Sequence, residues 1–122
     1  MHVTLITWAG SVKTAQKVAE EFKEDVSIEV IDVRTISPLD TETILASVRK
    51  TGRAVIVHEA PRTAGFGAEI AALLSEKAID SLQAPIKRVT GYDVIVPLPQ
   101  LEDYYIPSDK KILQAIDEVM HF

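Results

Sequence analysis

Four short runs of apolar, largely β-branched residues alternate along this chain with stretches whose apolar positions recur every three or four residues. VTLITW over 3–8, SIEVIDV over 27–33, the run from Arg53 to Val57 or His58, and Ile86 to Val89 after Pro85 read as strands. Between them lie helical patterns. Val12 to about Glu24 carries Val12, Ala15, Ala19 and Phe22 on one face, and a second helix runs from Asp40 to about Lys50. Phe66 to Leu82 shows Ile70, Leu73, Leu74, Ala78 and Leu82, and a final helix after Ser108 shows Ile112, Leu113, Ile116, Val119 and Met120.

The boundaries carry their own chemistry. Ser11, Asp40 and Ser108 stand where a side-chain oxygen would cap a helix, and Gly52 stands where a left-handed C-terminal cap is wanted. Pro97, Pro99 and Pro107 make 94–107 read as irregular chain crossing the surface. The order βα-βα-βα-β-loop-α implies right-handed crossovers and a parallel sheet of four strands between two helix layers. The expectation is an α/β three-layer sandwich forming a single domain over 1–122, with no internal repeat or low-complexity tract.

Composition narrows the function classes. A net charge of -5, with scattered Lys and Arg, argues against nucleic acid, which needs a basic field. The absence of cysteine removes disulfides and thiolate chemistry. No run approaches the roughly 20 apolar residues that span a bilayer, and no basic segment precedes an apolar leader, so neither a membrane nor a signal peptide is expected and the cytoplasm is the default. GxSxG, P-loop and HExxH motifs are missing, and His2, His58 and His121 are too dispersed for a metal cluster.

The run AVIVHEAPRTAGFGAE over 54–69 reads as a strand that ends at the carboxyl edge of the sheet, where open α/β sheets place their sites. His58 and Glu59 are adjacent, so on an extended strand they point to opposite faces. Glu59 suits an acid or base in the crevice and His58 a hydrogen bond across an interface, but contacts to loop backbone and neighbouring subunits explain both more simply. Arg62, beside a helix N-terminus, suits an anion or a partner carboxylate, with a structural salt bridge preferred. Gly65-Phe66-Gly67 is only a fragment of a dinucleotide fingerprint. Asp32 and Arg34 read as an ion pair, and Trp8 as packing under a helix or at an interface. Tyr92-Asp93 and Tyr104-Tyr105 flank the proline-rich loop as candidate protein contacts.

Four longer stretches carry a resemblance: IEVIDVRTISPLD at 28–40, KTGRAVIVHEAPRTAGFGAEIAA at 50–72, APIKRVTGYD at 84–93 and PLPQLEDYYIP at 97–107. From His2 to Phe122 the chain resembles the C-terminal domain of the beta subunit of the decarboxylating first component of 2-oxo acid dehydrogenase complexes. One departure is Ala64, where that family usually reads Gly. The resemblance implies a transketolase C-terminal-type fold, a five-stranded mixed sheet whose antiparallel first strand is missing from this chain, together with the subunit's N-terminal domain. It implies thiamine diphosphate and magnesium in the full enzyme, bound by other domains and none by this chain, which would be inactive in isolation. The implied partners are the alpha subunit, a second beta subunit and the dihydrolipoyl acyltransferase core. His58, Glu59, Arg62, Gly65, Phe66, Gly67, Tyr92 and Asp93 then become candidates for an interface or active-site edge.

Asp117, Glu118 and Phe122 become candidates for acyltransferase docking, their acidic face suiting a basic module. GYD at 91–93 and YYIP at 104–107 look closer to branched-chain members than to pyruvate members. The alternative reading is a free-standing flavodoxin-like module that binds an anion or nucleotide through the loop at 9–11 and the turn at 65–67.

Overall fold

In a computed structural model, residues 2–35, 38–61, 65–91 and 108–122 are described. Strands β1 (Val3–Thr7), β2 (Ile28–Asp32), β3 (Ala54–Pro61) and β4 (Lys87–Gly91) form one parallel sheet in the order β2-β1-β3-β4. Helices α1 (Ser11–Glu21), α2 (Thr41–Thr51), α3 (Phe66–Lys77) and α4 (Asp109–Met120) cover its two faces. Val3, Leu5, Val55, Val57 and Val89 meet Ala15, Val18, Ile112, Ile116 and Val119 on the α1/α4 face. Ile6, Ala54 and Ile56 meet Ile44, Val48, Ile70 and Leu74 on the α2/α3 face. Two cores on opposite faces explain why β1 and β3 are apolar almost without interruption: a strand buried on both sides has no water-facing position.

Caps set two helices as expected. The Asp40 carboxylate accepts from the Thr43 amide at 3.2 Å and from the Thr43 hydroxyl at 2.7 Å, and Gly52 closes α2 at φ +74°. The Ser108 hydroxyl accepts from the Lys111 amide at 3.3 Å.

The first helix differs from expectation. Ser11 does not cap it: Gly10 is the N-cap and makes no side-chain bond, while Ser11 is the first helical residue and buried. The buried stripe is Ser11, Ala15 and Val18, a register in which Val18 replaces Ala19 at the centre. The helix also ends at Glu21, where the Phe22 amide closes on the Val18 carbonyl and the aromatic ring turns under the core. Likewise α3 stops at Lys77, and a 3-10 turn over Ile79–Ser81 carries the chain toward β4. Leu73 and Leu82 are accordingly half-buried, whereas Ile70, Leu74 and Ala78 are fully so. β3 runs through Pro61, past the expected end at Val57 or His58, with a register irregularity against β4 between Val57 and Pro61. No helix among the described residues is long and apolar enough to cross a membrane.

Candidate functional site

β1 and β3 lie side by side, but α1 leaves the end of β1 on one face and α3 leaves the end of β3 on the other. Diverging connections open a crevice at the carboxyl edge, the usual ligand position in open α/β sheets. Here the chain brings together Thr7 to Ser11 from β1 and α1, His58 and Glu59 from β3, and Gly65 to Gly67 at the start of α3.

Alternation along β3 sends His58 and Glu59 to opposite faces. The His58 ring is fully buried on the α3 side, stacked on Trp8 with centroids 5.1 Å apart and planes 13° apart. Trp8 in turn meets Phe66 edge-on at 5.4 Å and 74°. Offset stacks and T-shaped pairs are the favoured aromatic geometries, and each adds on the order of 1 kcal/mol to the burial of the rings. Trp8 therefore packs under the start of a helix, as its position suggested. Gly67, the second residue of α3, is buried against the His58 ring edge and leaves no room for a Cβ.

Glu59 is exposed and lies over the start of α1, where a Cβ on Gly10 would overlap its carboxylate. Ala9 reaches this turn at φ +54°, a left-handed conformation that costs a non-glycine residue about 1 kcal/mol. An acid over a helix N-terminus is favourably placed for the macrodipole. It also fills the position from which a bound anion would approach α1.

Beneath this turn, the Thr7 and Ser11 hydroxyls are buried and find no hydrogen-bond partner among the described residues. Ser11 belongs to the loop that the binding-module alternative placed here, whereas Thr7 was not expected at the crevice. Thr7 was hidden inside an apolar run, and only its even spacing from Val3 and Leu5 signals that it faces α1 with them.

Arg62, Tyr92 and Asp93 lie outside the described residues, as do Ala64 and Tyr104-Tyr105. Asp32 accepts from Arg34 Nε at 3.1 Å, the ion pair read from their spacing. Asp117, Glu118 and Phe122 sit at the opposite, amino-terminal edge of the sheet. There Glu118 pairs with Lys87 at 3.0 Å and Asp117 with His121 at 3.1 Å, while Phe122 is 80% exposed. Lys87 holds the Glu118 carboxyl below its ordinary value by hydrogen bonding and charge. A groove of about 370 Å³ runs beside them, lined by Phe22, Val26, Ile28, Leu113 and Met120 with Asp25 and Asp117 on its rim.

Among the described residues no three His, Asp or Glu side chains converge to hold a metal ion. Among the described residues, Glu59 lies at the N-terminus of α1, where its carboxylate does not suit a diphosphate, and no chemical step through such a group is assigned to them.

Fold and site together define an α/β domain of the doubly wound type with a carboxyl-edge crevice. The chain belongs to the family Transketolase, C-terminal domain, which matches residues 1–112. It is 48% identical over 121 residues to the pyruvate dehydrogenase E1 component subunit beta of Staphylococcus epidermidis, a match that covers 98% of this chain and 37% of that protein. The same subunit of Staphylococcus aureus matches at the same identity and coverage. The chain thus spans 37% of the length of these curated relatives. Among solved structures it is similar to a split-gene transketolase described as an inactive beta4 tetramer, with TM-score 0.84, 24% identity, and 98% and 38% of the two chains covered. That likeness concerns the fold alone.

Proposed function

We propose that this chain is the C-terminal domain of the beta subunit of a 2-oxo acid dehydrogenase, an oxidoreductase of several chains, and that it assembles the enzyme without carrying the chemistry. The observation that carries this reading is the 48% identity, sustained over 98% of the chain, to pyruvate dehydrogenase E1 beta subunits. Thiamine diphosphate and magnesium, implied by the resemblance, then belong to other domains, and the cofactor supplies the decarboxylation. The carboxyl-edge residues His58, Glu59, Gly65, Phe66 and Gly67, with Arg62, Tyr92 and Asp93, serve as an edge that faces the alpha subunit or a second beta subunit. Pyruvate is favoured as substrate by the names of the relatives, and branched-chain 2-oxo acids by the wording at 91–93 and 104–107.

The opposite edge, with Asp117, Glu118 and Phe122, is the proposed docking face for the acyltransferase core. An exposed apolar ring beside carboxylates suits a basic module with an apolar centre.

The reading is tested by supplying the chain with its alpha subunit and the beta N-terminal domain, thiamine diphosphate and magnesium, and following decarboxylation of a 2-oxo acid panel. Turnover that requires this chain, and silence of the chain alone, is expected. Specific thermal stabilisation of the isolated chain by a nucleotide or flavin would instead favour the binding-module alternative. Asp117→Lys with Glu118→Lys in the assembled enzyme should weaken acyltransferase binding; unchanged binding removes the docking face from the proposal.

A further inference from the structure

Three buried hydroxyls form a line between the sheet and α2. Thr4 Oγ1 lies 2.7 Å from Ser47 Oγ and 2.8 Å from Thr51 Oγ1. At one end Ser47 donates to the Glu29 carboxylate at 2.8 Å, and at the other Thr51 donates to the Arg53 carbonyl at 3.0 Å. That carbonyl also accepts from the Thr4 amide at 2.9 Å. The line thus runs from β2, through α2 and β1, to the residue that leads into β3.

Each hydroxyl donates one proton, and an ionised carboxylate donates none. Three hydroxyls therefore supply three protons to four contacts: Glu29 with Ser47, Ser47 with Thr4, Thr4 with Thr51, and Thr51 with the Arg53 carbonyl. While Glu29 is ionised, one of the four lacks a proton, and a buried polar contact left unmet is costly. A protonated carboxyl supplies what is missing. It donates to Ser47, Ser47 turns to Thr4, Thr4 to Thr51, and Thr51 to the Arg53 carbonyl, so that all four contacts are met. Each hydroxyl keeps its own proton and only rotates about its C–O bond.

We propose that this line is a two-state relay whose donor direction is set by the charge of Glu29 and reverses when that carboxyl gains a solvent proton. The inference is independent of the function proposed above. The charged groups that face Glu29 are Lys50 from α2, at 2.8 Å, and more weakly the amino terminus of the chain. The hydrogen bonds from Lys50 and then Ser47 hold the carboxyl below its ordinary value, so the ionised direction is the resting one at neutral pH. Gain of a proton releases Lys50 from its partner charge and turns the hydroxyls together. Thr51, which Glu29 reaches through Ser47 and Thr4, then reads the charge of β2 at the start of β3. There Arg53 Nε also holds the Val119 carbonyl of α4 at 3.1 Å.

A double-mutant cycle by urea unfolding at neutral pH is the test, since Glu29→Gln supplies the fourth proton from its amide without acid. Loss of the Lys50 pair is common to both Glu29→Gln proteins and cancels in the cycle. In the unchanged chain Thr51→Val removes the shortage of protons together with one hydrogen bond. Beside Glu29→Gln it breaks a fully met line and leaves the Thr4 hydroxyl without an acceptor. Thr51→Val should therefore lower the urea midpoint more beside Glu29→Gln than alone, and Thr51→Ser, which restores the hydroxyl, should abolish the difference. Should Thr51→Val fold poorly, the Thr51 methyl carbon shift serves without any change at that residue. It should differ between Glu29→Gln and the unchanged chain, and the difference should vanish when both carry Ser47→Ala. An equal or smaller loss beside Glu29→Gln, or a methyl that ignores residue 29 or responds to it without Ser47, overturns the proposal.

Discussion

Gly67 lies against the edge of the His58 imidazole so closely that a Cβ there would overlap Nε2 and stand 2.7 Å from Cδ2 and 3.3 Å from Ile56 Cγ2. The ring cannot retreat, because Trp8 is stacked on it and it is fully buried. Gly67→Ala is therefore expected to destabilise the chain by about 1–3 kcal/mol, the range for overpacking, although alanine is the better helix former by about 1 kcal/mol. In a His58→Ala background the same change should be neutral or stabilising. Urea unfolding of the four proteins of this cycle checks the coupling; equal costs in both backgrounds would falsify the packing account.

Gly10 presents the contrasting case. A Cβ there also overlaps a side chain, but it is the exposed tip of Glu59, which can swing into water. Gly10 has an ordinary φ of -63°, so alanine adds no backbone strain. Gly10→Ala should shift stability by no more than about 0.5 kcal/mol, typical of surface changes, and thermal unfolding would register anything larger.

Two threonines of β1 should respond oppositely to valine. Thr4 Oγ1 bonds Ser47 Oγ at 2.7 Å and Thr51 Oγ1 at 2.8 Å on the α2 face. Ser47 extends that network to Glu29 at 2.8 Å. Thr4→Val should cost about 1–3 kcal/mol, because it leaves buried hydroxyls short of a partner. Thr7 Oγ1 has no partner among the described residues, so Thr7→Val should be neutral or stabilising. Chemical denaturation of both variants under one condition decides it, and a clear loss at Thr7 would reveal a partner for its hydroxyl.

Acid should weaken the chain partly through Glu29. Its hydrogen bond from Lys50, then that from Ser47, holds the carboxyl below the ordinary 4.5. A carboxyl depressed in the folded state contributes stability above its unfolded value, and that contribution fades as pH falls through the folded one. Stability measured from neutral pH downward should drop as pH passes below about 4.5, and Glu29→Gln should flatten that decline. An unchanged pH profile in the variant would remove Glu29 from the account.

Much of the scaffold was legible because its signals are local. Asp40, Gly52 and Ser108 act on amides and carbonyls within one turn of themselves, so their spacing sufficed to place the ends of α2 and the start of α4. Ser11 was misread because it looks like a cap in sequence, while the turn at Ala9 and the carboxylate of Glu59 leave that position to Gly10. The register of α1 slipped for a related reason: alanine and valine fit either stripe, and only packing against β1 and β3 selects Val18 over Ala19.

The sequence by itself determined the four-stranded parallel sheet, its two helix layers and the family, since periodicity, capping and motif wording are all carried by neighbours in the chain. Only the tertiary structure decided the crevice. Trp8, His58 and Phe66 come from three separate segments, and nothing local says that pairing of β1 with β3 will stack their rings or press Gly67 against the imidazole. The register of β2 on β1 is of the same kind. Which amides turn outward depends on where the Val3 and Val33 amides find their carbonyls, and that register exists only once the strands have met.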